Sequence, residues 1–250
     1  MSEPGTPRWT SEITVRLIQA IGDDRHVVAA AKVSVDPEQS SGPPECGATN
    51  AGLIRYLMRH RHGTPFEHGS MTFRVHAPIF VLREWHRHRV GWSYNEESAR
   101  YRPLDPVFWV PARDRAMVPV AGWKPSRPKF LTLDAAFGSR ADDRYAEIVQ
   151  HIRAAAIVGY ESYRRLIDGG AALEVARAAL PVSIYSSCWA TCNPRSLMHF
   201  LSLRTHDADS KFPSYPQAEI EDAARRMEAH FRDLWPITWT AWNDLGRVAP

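Results

Sequence analysis

Fifteen consecutive residues, Arg87-His88-Arg89-Val90-Gly91-Trp92-Ser93-Tyr94-Asn95-Glu96-Glu97-Ser98-Ala99-Arg100-Tyr101, bring together three arginines, a histidine, two carboxylates and two serines. Neither a period of 2 nor one of 3.6 sorts these polar groups onto one side, so the stretch reads as neither a buried strand nor an amphipathic helix face. The rest of the chain has to present this segment rather than hide it. Guanidinium groups recognise planar anions bidentately, and several close together suit a phosphorylated ligand. The neighbouring carboxylates and hydroxyls would read the less charged parts of such a ligand.

The remainder supplies the core. Of 250 residues 44% are hydrophobic, with nine Trp, which is enough apolar material for one domain over residues 1–250. The net charge of only +3 excludes a surface that coats nucleic acid, while arginine clustering still makes a local positive site. Cys46, Cys188 and Cys192 are too few for a disulfide framework and read as thiols in a reducing compartment. The N-terminal residues have no apolar signal region and no apolar run approaches a membrane span, so a cytoplasmic protein without membrane partners is expected.

Along the chain, Ile13, Val15 and Leu17 alternate as a strand, and an alanine-rich helical stretch follows and ends near Ser34. Asp36 to Gly47 holds three prolines, two glycines and two serines and reads as a surface loop. Leu53, Ile54, Leu57 and Met58 form a helical stripe, and Met71, Phe73 and Val75 a second strand. Pro78 suits the first turn of a helix through Ile79, Leu82 and Trp85, which delivers the polar segment at its end. Residues 103–138 contain six prolines and form an irregular excursion with β-prone pieces such as Val107 to Val110. A long helix with a stripe from Tyr145 to Ile167 comes next, then a helix from Ala171 to Leu180 that Pro181 stops. Asn193 and Pro194 open another to about Arg204 as N-cap and first-turn residue. The last begins at Pro216 and bends at Pro236. The pattern predicts an α+β fold, a single domain with a central mixed or antiparallel sheet flanked by helices.

The polar segment resembles the signature RHRxxSxNExSxRY of the flavin-dependent thymidylate synthases. Ala176-Arg177-Ala178-Ala179-Leu180-Pro181, Asn193 to Arg204, and His62-Gly63-Thr64-Pro65-Phe66-Glu67-His68 are similar to further stretches of that family. The resemblance runs from about Glu12 to Arg247. It implies a flavin-dependent C5 methylation of a uridine monophosphate, dUMP to dTMP and also UMP to 5-methyl-UMP. FAD would be the cofactor, with NADPH and 5,10-methylenetetrahydrofolate as co-substrates. It further implies a homotetramer with active sites at subunit junctions.

Residue by residue, the resemblance assigns Ser34, His62, Thr64, Glu67, Arg87, His88, Arg89, Glu96, Asn193, Arg195 and His199 to the flavin. It assigns Glu84, Arg87, Glu96, Ser98, Ala99, Arg100, Arg177 and Arg204 to the nucleotide, with Arg87, His88, Ser98 and Arg204 closest to the chemistry. Arg195 and His199 lie four apart and share a helix face, with Leu197, Phe200 and Leu201 on the other. Ser98 has carboxylates and arginines around it rather than an oriented base, so it reads as a ligand to the nucleotide and not as an attacking group. No cysteine falls in these motifs, so activation of the pyrimidine by a thiolate is not expected.

Three other classes compete. Nucleic-acid binding through Arg-His-Arg and nearby aromatics would need a strongly basic domain. Metal binding by His60, His62, His68, His86 and His88 lacks an acidic or cysteine partner at consistent spacing, and arginines would repel a cation, so no metal is expected. A non-catalytic nucleotide-binding protein would not need the full set of arginines. Ala99 stands where other members have glycine, and one methyl is too little to exclude a ribose 2′-hydroxyl. UMP is therefore expected as a slower substrate beside dUMP, and a UMP-specific methylase of a nucleoside-antibiotic pathway is the alternative.

Overall fold

The computed structural model describes residues 5–33, 48–124 and 127–250. Ser34, Cys46 and the expected loop from Asp36 to Gly47 lie outside the described residues. The chain divides into two compact units. One is made of Met1–Ile13, His76–Glu84 and Glu96–Cys188, the other of Thr14–Val75, Trp85–Asn95 and Trp189–Pro250.

A four-stranded sheet has the order Thr14–Ile21, Ser70–Pro78, Tyr185–Cys192, Trp92–Glu96. Met71, Phe73 and Val75 are buried at every second position, as the alternation requires. On the opposite face of that strand the Thr72 and Thr191 hydroxyls meet at 3.0 Å. Pro78 closes this strand instead of opening the helix Ile79–Trp85. The strand Trp92–Glu96 corrects the reading of the polar segment. Trp92, Tyr94 and Glu96 are half-buried while Ser93 and Asn95 are exposed, so a period of 2 does operate in its second half. Trp92 and Tyr94 stack nearly parallel at 5.6 Å, an apolar rib inside a polar stretch.

Helix Pro194–Arg204 starts where the sequence places it. Asn193 caps it by accepting from the Ser196 N–H at 2.8 Å, and Leu197, Met198, Phe200 and Leu201 are buried. Helix Ala218–Leu234 buries Ile220, Ala224, Met227 and Phe231. The bend expected at Pro236 is a full break, because Pro236 is the first residue of a separate helix, Pro236–Asp244. No side chain of its N-cap residue, Trp235, serves that helix. The carboxylate of Asp24 does so from far away in sequence, accepting from Ile237 N at 2.8 Å, Thr238 N at 2.9 Å and Thr238 Oγ1 at 2.6 Å. Burial raises the Asp24 pKa in spite of these three donors. Arg247 ties the helices together from within. It is 5% exposed, donates to Glu228 at 2.9 Å, Thr205 Oγ1 at 3.0 Å and Asn243 Oδ1 at 2.8 Å, and lies over the Trp242 ring.

In the first unit, helix Ala141–Asp168 buries Val149, Ala156, Tyr160 and Tyr163 along one face. Ala156, Tyr160 and Tyr163 pack with Ala99, Leu104, Phe108, Ala176 and Ile184. Strand Arg8–Thr10 pairs in parallel with Val107–Trp109, and inside the proline-rich excursion Val118–Pro119 pairs antiparallel with Phe130–Leu131. The helix expected from Ala171 to Leu180 is one turn, Leu173–Ala176, followed by a tighter 3-10 turn, Arg177–Ala179. Leu180 is already extended, as a residue before proline prefers, and this shortens the helix. Arg177 thus stands on an exposed turn and not in the middle of a helix. Among the described residues no helix is long and apolar enough to cross a membrane.

Because Asp24 closes two backbone donors of a helix start and one hydroxyl, Asp24→Ala should destabilise the protein by about 2 kcal/mol. Urea unfolding followed by circular dichroism measures this, and a change under about 0.5 kcal/mol would mean that water replaces the carboxylate without loss.

Candidate active site

In the second unit the polar segment and the start of helix Pro194–Arg204 enclose a cavity of about 430 Å³. Glu67, Arg87, His88, Arg89, Gly91, Trp92, Asn193, Arg195, Ser196 and His199 line it, together with Val90. Seven residues that the resemblance assigns to the flavin are therefore brought together: Glu67, Arg87, His88, Arg89, Asn193, Arg195 and His199. Val90, Gly91, Trp92 and Ser196 were not among the expected residues. Ser196 was legible in principle, since it lies three after the N-cap Asn193 and its amide is the one the cap serves.

Gly91 makes the enclosure possible. Between Arg89 and Ser93 stand Val90, Gly91 and Trp92, one residue more than the family pattern has at that point. The extra length is taken up in a turn closed by Trp92 N to Arg89 O at 3.4 Å, with Gly91 at a φ of 66°. A β-carbon on Gly91 would come 2.1 Å from Ser196 Oγ and 3.1 Å from Asn193 Nδ2. Only glycine both adopts this conformation easily and lets the helix start approach so closely.

Charge is fixed on the cavity walls. Arg195 donates to Glu67 Oε1 at 2.6 Å and to the Pro250 carbonyl at 2.7 Å. Its guanidinium lies against Gly63, where a β-carbon would be 2.4 Å from Cζ. Glu67 is thus neutralised by Arg195, while Arg87 and Arg89 add two more positive charges beside a helix N-terminus. Such a donor set accepts an anion or a ligand rich in hydrogen-bond acceptors.

His88 is set differently. Arg204 Nε donates to His88 Nε2 at 3.0 Å, the Tyr94 hydroxyl donates to the His88 carbonyl at 2.7 Å, and the Phe200 ring meets the imidazole edge-on at 4.8 Å. Burial, then the positive neighbours Arg204, His199 and Arg87, push its pKa down to about 4. His199 is lowered too, by burial and then by Arg195 and Arg61. Tyr94, absent from the expected residues, also reaches the Trp85 carbonyl at 3.3 Å and so braces the stretch from Trp85 to His88.

The remaining expected residues lie elsewhere. His62 stacks on Tyr56 at 6.1 Å, and Thr64 opens the 3-10 turn Thr64–Glu67 that carries Glu67. Glu84, Glu96, Ser98, Ala99, Arg100 and Arg177 belong to the first unit. There Arg100 pairs with Glu174 at 3.1 Å, and Ser98 Oγ accepts from the Arg100 amide at 3.3 Å. Glu97, at the unspecified position after the signature's Glu96, joins Arg102 and accepts from the Ser187 amide at 2.7 Å, a structural use of its carboxylate. Ala99 is 8% exposed and its methyl packs in the apolar cluster. Cys188 and Cys192 are buried, and burial raises the Cys192 thiol pKa.

An α+β fold that presents a basic cavity at a capped helix start defines a binder of anionic ligands. The family described as thymidylate synthase complementing protein, Thy1, matches residues 16–237. The chain thus belongs to the flavin-dependent thymidylate synthase family. A flavin-dependent thymidylate synthase of Streptomyces avermitilis is 48% identical over 98% of this chain and 96% of its own length. One of Tropheryma whipplei is 44% identical over 98% of both. Among solved structures, the UMP/dUMP methylase PolB from Streptomyces cacaoi bound with 5-Br dUMP is 45% identical, with a TM-score of 0.86 over 97% of this chain and 100% of that one. The same protein bound with 5-Br UMP gives a TM-score of 0.84 at 46% identity over 98% and 99%.

Gly91→Ala should destabilise the fold by about 1–2 kcal/mol through left-handed strain alone, before the contact with Ser196 is counted. Equilibrium unfolding measures it. A neutral variant would show that the turn rearranges without penalty.

Proposed function

We propose that this chain methylates C5 of uridine monophosphates with a bound flavin, taking the methylene group from methylenetetrahydrofolate and reducing equivalents from NADPH. The observation that carries the reading is the cavity in which Arg87, His88 and Arg89 stand with Arg195 at the start of helix Pro194–Arg204. Its net positive walls suit a phosphate-bearing flavin, FAD, held by Glu67, Arg87, His88, Arg89, Asn193, Arg195 and His199. His62, Thr64, Glu96 and Ser34 complete the cofactor set that we infer. When bound, the reduced flavin supplies a hydride to the pyrimidine.

The protein's part is orientation and charge. Glu84, Arg87, Glu96, Ser98, Ala99, Arg100, Arg177 and Arg204 form the nucleotide set that we infer, with Arg177 taking the phosphate. Arg100 also pairs with Glu174, so a nucleotide held there has to compete with a carboxylate. Arg87 and Arg204 balance negative charge that develops on the pyrimidine during transfer. Ser98, already accepting from the Arg100 amide, holds the nucleotide without attacking it.

The sugar is read permissively. The Ala99 methyl is used in the apolar cluster, so it places no barrier in front of a 2′-hydroxyl. We infer that dUMP is the better substrate and UMP a slower one. PolB, described as a UMP/dUMP methylase, favours the same reading. A dedicated UMP methylase of a nucleoside-antibiotic pathway is the second reading.

We also propose that residues 1–250 act as one catalytic domain, in the cytoplasm, as a homotetramer with sites at subunit junctions. On helix Ala141–Asp168, Ile157, Val158 and Leu166 are 40%, 64% and 40% exposed, apolar area available to a second copy.

Tritium release from 5-tritiated dUMP and UMP, with NADPH and methylenetetrahydrofolate, tests the reaction. Release from dUMP, with slower release from UMP, is expected. Silence with both nucleotides in a flavin-loaded preparation would overturn the proposal, and silence with UMP alone would leave a dedicated thymidylate synthase. Arg177→Ala should weaken nucleotide binding roughly ten- to hundredfold, the loss of one charge-assisted phosphate contact, with flavin content unchanged.

A further inference from the structure

We propose that Arg204 is a positioning residue for His88, holding its imidazole as the neutral tautomer with the proton on Nδ1, so that His88 meets the cavity's ligand as a fixed hydrogen-bond donor. The inference rests on the reading of the cavity as the ligand site, and goes beyond it in assigning a proton to one atom.

The argument starts from donor and acceptor capacity. A guanidinium has only donors and keeps its charge at any working pH. The contact between Arg204 Nε and His88 Nε2 at 3.0 Å is therefore a hydrogen bond only if Nε2 offers a lone pair. A neutral imidazole with Nε2 as acceptor carries its proton on Nδ1, and an imidazolium has no lone pair to give. Protonation of His88 would break this bond and set two cations against each other.

The surroundings point the same way. Arg204 and His199, both on helix Pro194–Arg204, and Arg87 on the segment of His88 itself are the titratable groups that act on the ring. All three oppose a positive charge there. Phe200 meets the ring edge-on at 4.8 Å, and the Tyr94 hydroxyl fixes the His88 backbone through its carbonyl at 2.7 Å. Ring orientation, backbone and tautomer are thus each held by a different neighbour. With its pKa lowered to about 4, His88 stays neutral across the range in which an ordinary histidine gains charge.

A chemical consequence follows for the ligand. The atom that meets His88 Nδ1 has to be an acceptor, a carbonyl oxygen or an unprotonated ring nitrogen such as a flavin ring offers. Arginines on the same walls serve the charged parts. Arg204, which we infer touches the nucleotide, then links its own ligand contact to the donor state of a flavin-side residue. A change at Arg204 is felt at both.

The test is nuclear magnetic resonance of the full-length protein as purified, labelled with 15N-histidine, with His88 assigned by its loss in His88→Gln. Two-bond proton–nitrogen correlations distinguish the tautomers. The expected result is a single species protonated on Nδ1 that does not titrate between about pH 5.5 and 8.5. In Arg204→Met the ring should become a mixture of tautomers and its pKa should rise, with burial still keeping it below 6.5, the ordinary value. Wild-type His88 protonated on Nε2, or titrating near 6.5, would overturn the proposal without recourse to any Arg204 variant. A folded Arg204→Met protein with the wild-type tautomer and pKa would also overturn it, because burial alone would then set the ring. Protein that takes up no flavin but keeps the Nδ1–H species would remove the proposed function and leave this assignment standing.

Discussion

Everything at the cavity depends on how closely the turn at Gly91 meets the start of helix Pro194–Arg204. The polar segment has few apolar side chains to anchor it, and its arginines gain nothing from burial. It is held instead by a helix end whose cap residue, Asn193, and first-turn Ser196 lie where a β-carbon on Gly91 would be. The absence of a side chain at Gly91 lets a helix start and the charges of Arg87 and Arg89 converge on one volume. Trp92 and Tyr94, stacked behind the turn, supply the apolar footing that the polar residues lack.

Around this contact the second unit invests buried charge. Arg247, Glu228 and Thr205 join the C-terminal end of helix Pro194–Arg204 to the following helices, and Asp24 caps helix Pro236–Asp244. Such groups are costly to bury and tolerable only when every donor and acceptor is matched, so they define one arrangement of the helices and penalise others. The position of Arg204, one residue before Thr205, is thereby set from its C-terminal side as well as by its own helix. Precision at His88 is inherited from that arrangement.

The sequence made helices legible where apolar periodicity and a cap coincide, as at Asn193-Pro194, and strands where branched or large apolar residues alternate, as at Met71, Phe73 and Val75. It hid the strand Tyr185–Cys192, whose Ser, Cys and Ala side chains are small and of mixed polarity; only the flanking Pro181 and Asn193-Pro194 marked its limits. The strand inside the polar segment was hidden because its alternation is carried by Trp92 and Tyr94 with no apolar partner beyond them. The turn at Arg177 was read as helix because alanine favours helix, and the restriction on Leu180 before Pro181 decided otherwise. The cationic residues of the cavity were visible as types and through the family resemblance. Their partners were not: Glu67 for Arg195, Glu174 for Arg100 and Tyr94 for the His88 carbonyl all come from pairings that only the fold creates.

The central claim, that this basic cavity holds a flavin, is tested most directly by the visible absorption spectrum of freshly purified protein, extended by titration with FAD. A flavin band that travels with the protein, or that appears saturably on adding FAD and weakens in Arg195→Ala, is the predicted result. A colourless protein that leaves added FAD free in solution would contradict the account.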